Sequence, residues 1–222
     1  GTHALFQKKI NFQKLGLVVI DEQHKFGVKQ RSELAAKGGD NCDVLLMSAT
    51  PIPRTMMMSI YGDMDTSKLE EKPLHRQKIL TLSKPENKIN DLWPFLKKKI
   101  KNNEQIFWVC PLIEDSKKLD FSSTKTTFQL VDKKFPKKVG FIHGALDQEE
   151  KEKVLTRFLK NEISILVSTT VIEVGVDFPN ATVMIIENSN KFGLAQLHQL
   201  RGRIGRGDKS GTCILLFKNQ LS

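Results

Sequence analysis

Two adjacent carboxylates, Asp21 and Glu22, directly follow the apolar run Leu15 to Ile20. In open parallel sheets, ligands bind beyond the carboxyl ends of strands. A pair at such an end can divide labour. Asp21 can hold a magnesium ion through its water shell, and Glu22 can orient and deprotonate a water that attacks a γ-phosphate. Alone, an Asp-Glu pair reads as a solvated turn; Gln23 and His24 extend it to a tetrapeptide and shift that reading. After the next apolar run come Ser48, Ala49 and Thr50, then Pro51 to Arg54. Small hydroxyl residues at a strand end can hydrogen-bond the neighbouring Asp21-to-His24 turn and relay nucleotide state to whatever binds beside it.

Further along, Thr169 and Thr170 end the run Ser164 to Ser168 and lead through Val171 to Gly175 and Asp177. Hydroxyls and a glycine permit close backbone approach to a phosphate chain, and Asp177 could accept from a ribose hydroxyl or orient an arginine. A buried strand-to-turn transition fits the same residues equally well. Gln199, Arg203 and Arg206 are spaced i, i+4 and i+7, which predicts one face of a helix whose other face carries Leu194, Leu197 and Leu200. Arginines converging there could reach β- and γ-phosphates and stabilise transition-state charge. Gly202, Gly205 and Gly207 permit close approach of another chain but are poor helix formers. His143-Gly144 follows the run Lys138 to Ile142 and could contact a nucleic-acid strand, although locally the pair reads first as a helix start with an exposed histidine.

A phosphate loop of the form G-x-x-x-x-G-K-[ST] is not found. The nearest approach, Gly202 to Ser210, has Asp208 between Gly207 and Lys209 and follows a helix rather than a strand. The expectation is that the strand and loop cradling the phosphates lie upstream of Gly1.

The elements that must position these residues are short, apolar, β-branched runs: Leu15–Ile20, Asp43–Met47, Gln105–Cys110, Lys138–Ile142, Ser164–Ser168, Thr182–Glu187 and Thr212–Phe217. Continuous rather than alternating apolar character suits strands covered on both faces of a parallel sheet. Residues Asn87–Lys101 and Gln148–Leu159 carry amphipathic helical spacing between them, so the fold class is α/β. Leu119–Thr127, rich in Ser, Thr and Lys, is expected to be a mobile surface loop. A composition break over Tyr61–Gln77 suggests a linker, with the boundary near Arg76, giving domains 1–75 and 76–222. The upstream part has too few strands for a whole α/β domain and reads as the second half of one.

At 222 residues the chain has length for more than one compact unit. No stretch approaches the eighteen or so apolar residues of a membrane span. Cys42, Cys110 and Cys213 are odd in number and lie among apolar neighbours, which points to reduced thiols in a cytoplasmic protein rather than a disulfide framework or zinc site. A net charge of +10 favours a polyanionic partner such as nucleic acid. The lysine runs Lys97–Lys99 and Lys133-Lys134 with Lys137-Lys138 read first as solvated faces. His3, His75 and His198 have no ligand spacing.

In order and spacing, these blocks resemble the motifs of superfamily 2 helicases. Gly1-Thr2 corresponds to a nucleic-acid contact, Asp21–His24 to motif II, Ser48–Thr50 to motif III, Thr169–Asp177 to motif V and Gln199–Arg206 to motif VI. The flanking residues, among them Gly1–Leu5, Phe26 to Arg31, Ala49–Arg54, Cys110–Glu114 and Phe192–Gly207, look like the bacterial RecG family of ATP-dependent DNA helicases. The related transcription-repair coupling factors usually show Asp-Glu-Glu-Gln where this chain has Asp-Glu-Gln-His. The resemblance implies two RecA-like parallel-sheet motor domains, the first truncated at its N-terminus, from a cytoplasmic, monomeric bacterial motor. That motor would use ATP and Mg2+ to remodel branched duplex DNA. By position, Asp21 would serve magnesium, Glu22 would activate water, and Arg203 and Arg206 would face phosphates. Gln23, His24, Ser48, Ala49, Thr50, Gly175, Asp177 and Gln199 would bind nucleotide or couple to it. Thr2, His143, Gly144, Thr169 and Thr170 would lie towards DNA. The chain departs from the family at Lys25 (usually Arg), at Phe178 (usually Val) and at Leu74-His75, which interrupts a usual Pro-Pro-Gly-Arg. The family's wedge domain, phosphate loop and C-terminal motif have no counterpart in these residues.

Two other classes compete. A catalytically incomplete RecA-like module would bind nucleic acid without turnover. A magnesium-dependent phosphatase or nuclease built on Asp21 and Glu22 would need a carboxylate cluster within one sheet, whereas the chain offers arginines on a separate unit.

Overall fold

A computed structural model describes residues 1, 3–7, 9–22, 26–48, 65–69, 77–111, 117–169 and 178–218. The chain divides into two compact units, Gly1–Lys68 and Leu69–Ser222. The boundary expected near Arg76 falls in 70–76, outside the described residues.

In the first unit, β1 (Leu17–Ile20) and β2 (Asp43–Leu46) pair in parallel, Ile20 opposite Leu46, and helix α1 (Val28–Ala36) connects them. Burial alternates along both strands, as the two-residue period of a strand requires. Val18 and Ile20 point one way and pack with Leu34 of α1. Leu17, Val19 and Leu45 point the other way and are about half exposed, at 56%, 50% and 49%. The apolar runs led us to expect cover on both faces; the described residues cover only one. Beyond α1, the Lys37 ammonium donates to the carbonyls of Leu5, Gln7 and Ile10 at 2.9, 2.6 and 2.9 Å, which ties the N-terminal segment to the helix end.

The second unit is one six-stranded, all-parallel sheet in the order β3-β8-β7-β4-β6-β5. Its strands are β3 (Ile79–Pro85), β4 (Gln105–Val109), β5 (Val139–Ile142), β6 (Ile165–Ser168), β7 (Ala181–Ile186) and β8 (Gly211–Phe217). Every residue of β4, β6 and β7 is buried, as central parallel strands covered on both faces demand. On one face lie α2 (Leu92–Lys101) and α3 (Lys117–Lys134), with Leu92, Leu96 and Val131 packed on Ile106, Trp108, Ile165 and Ile185. On the other lie α4 (Gln148–Leu159) and α5 (Leu194–Arg201), where Phe158, Leu200 and Ile204 meet Phe107, Leu166 and Met184.

Two expectations are corrected, and one element is new. Leu119–Thr127 is not a mobile loop but part of α3: Thr124 and Val131 are fully buried, with Thr127 and Phe128 part-buried between them. That spacing fits one helical face, and tertiary burial outweighs the weak helix propensity of Ser and Thr. The α-helix expected from Asn87 begins only at Leu92, after a 3-10 turn over Glu86–Asp91. Pro94 has no N–H and is tolerated only in a first turn, so the helix cannot start much earlier. Strand β3 was not foreseen. It is an edge strand in which Leu80 and Leu82 remain partly exposed, so its residues lack a continuous apolar signal.

Candidate functional site

In the first unit the site begins at the carboxyl ends of β1 and β2. Asp21 is exposed, and its Oδ1 accepts the Glu22 N–H at 2.8 Å. Glu22 has φ +49, a left-handed conformation that costs a non-glycine residue about 1–2 kcal/mol. The turn thereby reverses at Glu22 and leaves that side chain half-buried. Met47 N–H donates to the Ile20 carbonyl at 2.8 Å, so the pairing continues one step past β2 and brings Ser48 level with the Asp21-Glu22 turn. Asp21, Glu22 and Ser48 are thus brought to neighbouring strand ends. Gln23, His24, Ala49, Thr50 and Thr2 lie outside the described residues. Among the described residues no group of three or more His, Cys, Asp or Glu side chains could hold a metal ion. Asp21 offers a single exposed carboxylate at this edge, which suits holding a magnesium ion through its water shell.

In the second unit, β5 and β6 are neighbours and the pairing extends to Thr169, whose N–H donates to the Ile142 carbonyl at 3.3 Å. His143, next in the chain, therefore sits beside Thr169 at the carboxyl edge. Rather than being simply exposed, His143 is half-buried with its ring 4.8 Å from that of Phe141. Burial holds its pKa below the usual imidazole value, with Glu150 opposing that shift. Thr169 is buried and Gly144 exposed. The Asp147 carboxylate then caps α4 by accepting the Glu150 N–H at 2.7 Å.

The same edge holds polar residues to which the sequence reading assigned no role. Glu187, just past β7, is buried and accepts the Trp108 indole N–H at 2.8 Å and the Thr127 hydroxyl at 3.1 Å, with the Cys110 thiol at 3.5 Å. Burial raises its pKa, partly countered by those donors. Asn188 follows at φ +45, and its Oδ1, like the Ser168 hydroxyl, is buried without a hydrogen-bond partner among the described residues. A polar residue closing an otherwise apolar run was the available sequence signal, but nothing local says whether such a residue faces core or solvent.

The arginine constellation is arranged differently from the expected single helical face. Helix α5 ends at Arg201 with Gly202 as its C-cap, so Gln199 is in the helix while Arg203 and Arg206 lie in the loop beyond it. Leu194 is 86% exposed, so the supposed apolar face begins only at Leu197. The physical reason lies in the glycines: Gly202 caps the helix, and Gly205, at φ +66, keeps the chain from resuming helical geometry. The loop is fastened instead to the turn Phe178–Ala181. Gly205 N–H donates to the Ala181 carbonyl at 3.2 Å, and Ile204 is buried in the same cluster as Phe178. A Cβ on Gly207 would sit 2.7 Å from the Pro179 carbonyl oxygen. Arg206 Nε donates to the Gly202 carbonyl at 3.2 Å, closing the loop on itself. The residue immediately before this turn is Asp177. Thr170, Gly175 and Asp177 are outside the described residues.

Comparison with known proteins follows this division. Residues 87–208 match the family described as helicase conserved C-terminal domain, and residues 1–59 the DEAD/DEAH box helicase family. The chain is 50% identical over 218 residues to the ATP-dependent DNA helicase RecG of Thermotoga maritima, covering 97% of this chain and 28% of that protein. For RecG of Bacillus subtilis the identity is 47%, covering 97% and 32%. Among solved structures, RecG bound to a three-way DNA junction superposes with a TM-score of 0.73 at 43% identity, over 99% of this chain and 28% of that one. S. cerevisiae Dbp5 bound to RNA and ADP BeF3 superposes with a TM-score of 0.68 at 20% identity, over 98% and 57%, a likeness of fold alone. The chain thus spans about a third or less of the length of these RecG relatives.

Proposed function

The chain belongs to the helicase family whose conserved C-terminal domain it carries, and on that premise we propose that it is the motor segment of an ATP-dependent DNA helicase. The whole protein would remodel branched DNA, such as replication forks and Holliday junctions, in recombination and repair. The observation that carries this reading is the fastening of the Arg203–Arg206 loop to the turn at Phe178–Ala181. A motor needs its phosphate-facing arginines mechanically joined to the segment that meets the nucleic acid, and the hydrogen bond and close packing between this loop and the turn that follows that segment support such a joint. Residues 1–75 contribute the part of the first RecA-like motor domain that carries Asp21–His24 and Ser48–Thr50, with the linker, and residues 76–222 serve as the second.

In this reading Glu22 orients and deprotonates the attacking water, and Asp21 holds the magnesium ion through its water shell. The ion, when bound with ATP, neutralises charge on the phosphates. Arg203 and Arg206 present guanidinium donors to phosphate charge, and Gln199 couples to the nucleotide from the helix that precedes them. Gln23 and His24 sense nucleotide, as do Gly175 and Asp177. Ser48, Ala49 and Thr50 couple that state to the strand contact made by Thr2, His143, Gly144, Thr169 and Thr170. The partner is branched duplex DNA, and the protein works as a monomer in the bacterial cytoplasm, at the nucleoid. Among the described residues no helix is long and apolar enough to cross a membrane.

The 222 residues contain no Gly-Lys-Ser/Thr, so the test uses them within a polypeptide that supplies a phosphate loop. DNA-stimulated ATP hydrolysis is measured for the unaltered protein and for Glu22→Gln. Turnover is expected to fall by about 10²–10⁴ with DNA binding retained. Undiminished turnover would refute the water-activating role. The bare 222-residue chain is expected to show no turnover, and substantial hydrolysis by it would overturn the view that a phosphate loop is required from elsewhere.

A further inference from the structure

The lysine runs that read as ordinary solvated faces in the sequence are brought together by the topology. Helix α2 ends at Lys101 and feeds β4, and α3 ends at Lys134 and feeds β5. All the strands are parallel, so both helix ends arrive at the amino edge of one sheet, opposite the edge that holds His143, Thr169 and Glu187. Both helices also lie on one face, where Trp93 of α2 meets Phe135 at 6.1 Å between ring centroids. Only β6 separates β4 from β5 in the sheet, which sets their starts about 10 Å apart. Seven exposed lysines result: Lys97, Lys98 and Lys101 from α2, and Lys133, Lys134, Lys137 and Lys138 from the end of α3 and the turn into β5.

Of the carboxylates near this edge, Asp132 is half-buried on α3 and Glu162 pairs with Arg157 at 3.5 Å. Glu104 is buried and already held by the Lys99 ammonium at 2.8 Å and by the Thr182 hydroxyl. Lys99 is half-buried and also lies 5.8 Å from the Phe95 ring centroid, so it belongs to the packing and not to the patch. Among the described residues none of the seven pairs with a carboxylate. Attraction to the negative end of a helix accounts for lysines in a last turn, but not for those beyond it. Lys137 is such a residue and carries φ +63, a conformation that glycine or asparagine adopts at lower cost. The edge around it is firmly built, since the Lys138 carbonyl accepts the N–H groups of both Ser164 and Ile165 at 2.8 and 3.0 Å. Lys209, from the arginine-bearing segment, reaches the same edge by donating to the Asn102 carbonyl at 3.1 Å.

We propose that this lysine edge is a second nucleic-acid surface, which grips the phosphate backbone of duplex DNA without reading sequence, on the side of the sheet opposite the strand-end residues. Lysine is a point charge with no planar fork, which suits tracking along a backbone better than recognising one group. The proposal rests on the reading that the chain acts on DNA, and its test separates the two.

Binding of the whole chain to a blunt DNA duplex of random sequence is measured across a salt series. It is compared with a variant carrying Lys97→Gln, Lys98→Gln, Lys133→Gln and Lys134→Gln, with the four Lys→Arg changes, and with a control in which four exposed lysines elsewhere, Lys14, Lys88, Lys153 and Lys160, become Gln. Each lysine that neutralises a phosphate contributes about −0.9 to the slope of log K against log salt. The four-Gln variant is expected to bind at least about tenfold more weakly near 0.1 M salt, with a slope shallower by about 2–3. The Arg variant should bind as the unaltered chain does, and the control should lose no more than about twofold. Equal losses in the control would reduce the effect to net charge and overturn the site. So would a four-Gln variant with unchanged affinity and slope, or one that loses only binding to anionic phosphatidylserine vesicles. A wild-type chain that binds no duplex at all would sink both this proposal and the DNA reading, whereas failure of the four-Gln arm alone sinks only the second surface.

Discussion

Trp108 on β4 donates its indole N–H to Glu187 at the end of β7, 2.8 Å away, and both residues are buried. The carboxyl group is thereby shared between the sheet and α3, since the Thr127 hydroxyl reaches the same group. It also precedes Asn188, whose left-handed backbone turns the chain towards α5 and the arginine loop.

This burial has a pH signature. The folded-state pKa of Glu187 is raised, chiefly by desolvation. A carboxyl group whose folded pKa is raised contributes stability that is full below the unfolded pKa, near 4.3, and is lost as pH rises through the folded value. Glu187→Gln keeps an acceptor for Trp108 and Thr127 but has no charge to desolvate. Its melting temperature relative to the unaltered chain is therefore expected to climb between pH 5 and pH 8, on the order of a few degrees. Parallel melting curves across that range would show that the carboxyl group contributes nothing to the pH dependence.

The loop carrying the arginines should be intolerant of a single methyl group. Gly207→Ala places a Cβ against the Pro179 carbonyl oxygen, a backbone atom that cannot step aside alone. Gly205→Ala imposes φ +66 on a residue that resists it, at about 1–2 kcal/mol. Made within the polypeptide that supplies a phosphate loop, both variants are expected to fold, with a depressed melting temperature, and to lose ATP turnover by more than that loss of stability explains. Circular dichroism melts beside steady-state hydrolysis check this.

Arg203→Lys should not be conservative. A lysine offers one ammonium where the guanidinium offers a planar fork of donors. For an arginine that meets transition-state phosphate charge, the expected loss in kcat is about 10³ or more, with little change in KM. A loss confined to KM would move Arg203 from transition-state stabilisation to ground-state binding.

Phe178 tests how the two motifs of the second unit are joined. Its ring stands edge-on to Phe107 at 5.5 Å and tilted on Phe158 at 5.3 Å between centroids. Phe178→Val removes both contacts and opens space in a closed cluster. A destabilisation of about 1–3 kcal/mol is expected from chemical denaturation. An unchanged midpoint would mean that the cluster collapses around valine and that the ring is dispensable to the junction.

Much of this architecture is legible in the sequence. Seven apolar runs became seven strands within about two residues at each end, and α4 spans Gln148–Leu159 as its spacing implied. These elements share a property: their signal is local, because a strand buried on both faces must be apolar throughout and an amphipathic helix must repeat near 3.6 residues. The placing of Asp21, Glu22, Ser48, His143 and Thr169 just past strand ends follows from the same rule, and so does the α/β class.

Other features depended on contacts between distant parts of the chain. Whether Ser- and Thr-rich residues 119–127 form a loop or a helix turned on burial against the sheet. Whether Arg203 and Arg206 continue the helix of Gln199 turned on the cap at Gly202 and on a left-handed Gly205 held by Ala181, 24 residues earlier. Glu187 acquired its partners from β4 and α3, and seven separated lysines acquired a common edge from the parallel order of the strands. Residue types and spacing therefore determined which chemistry this chain carries and which elements carry it. Only the tertiary structure decided which side chains meet, because burial and positive φ are set by long-range packing that no local period encodes.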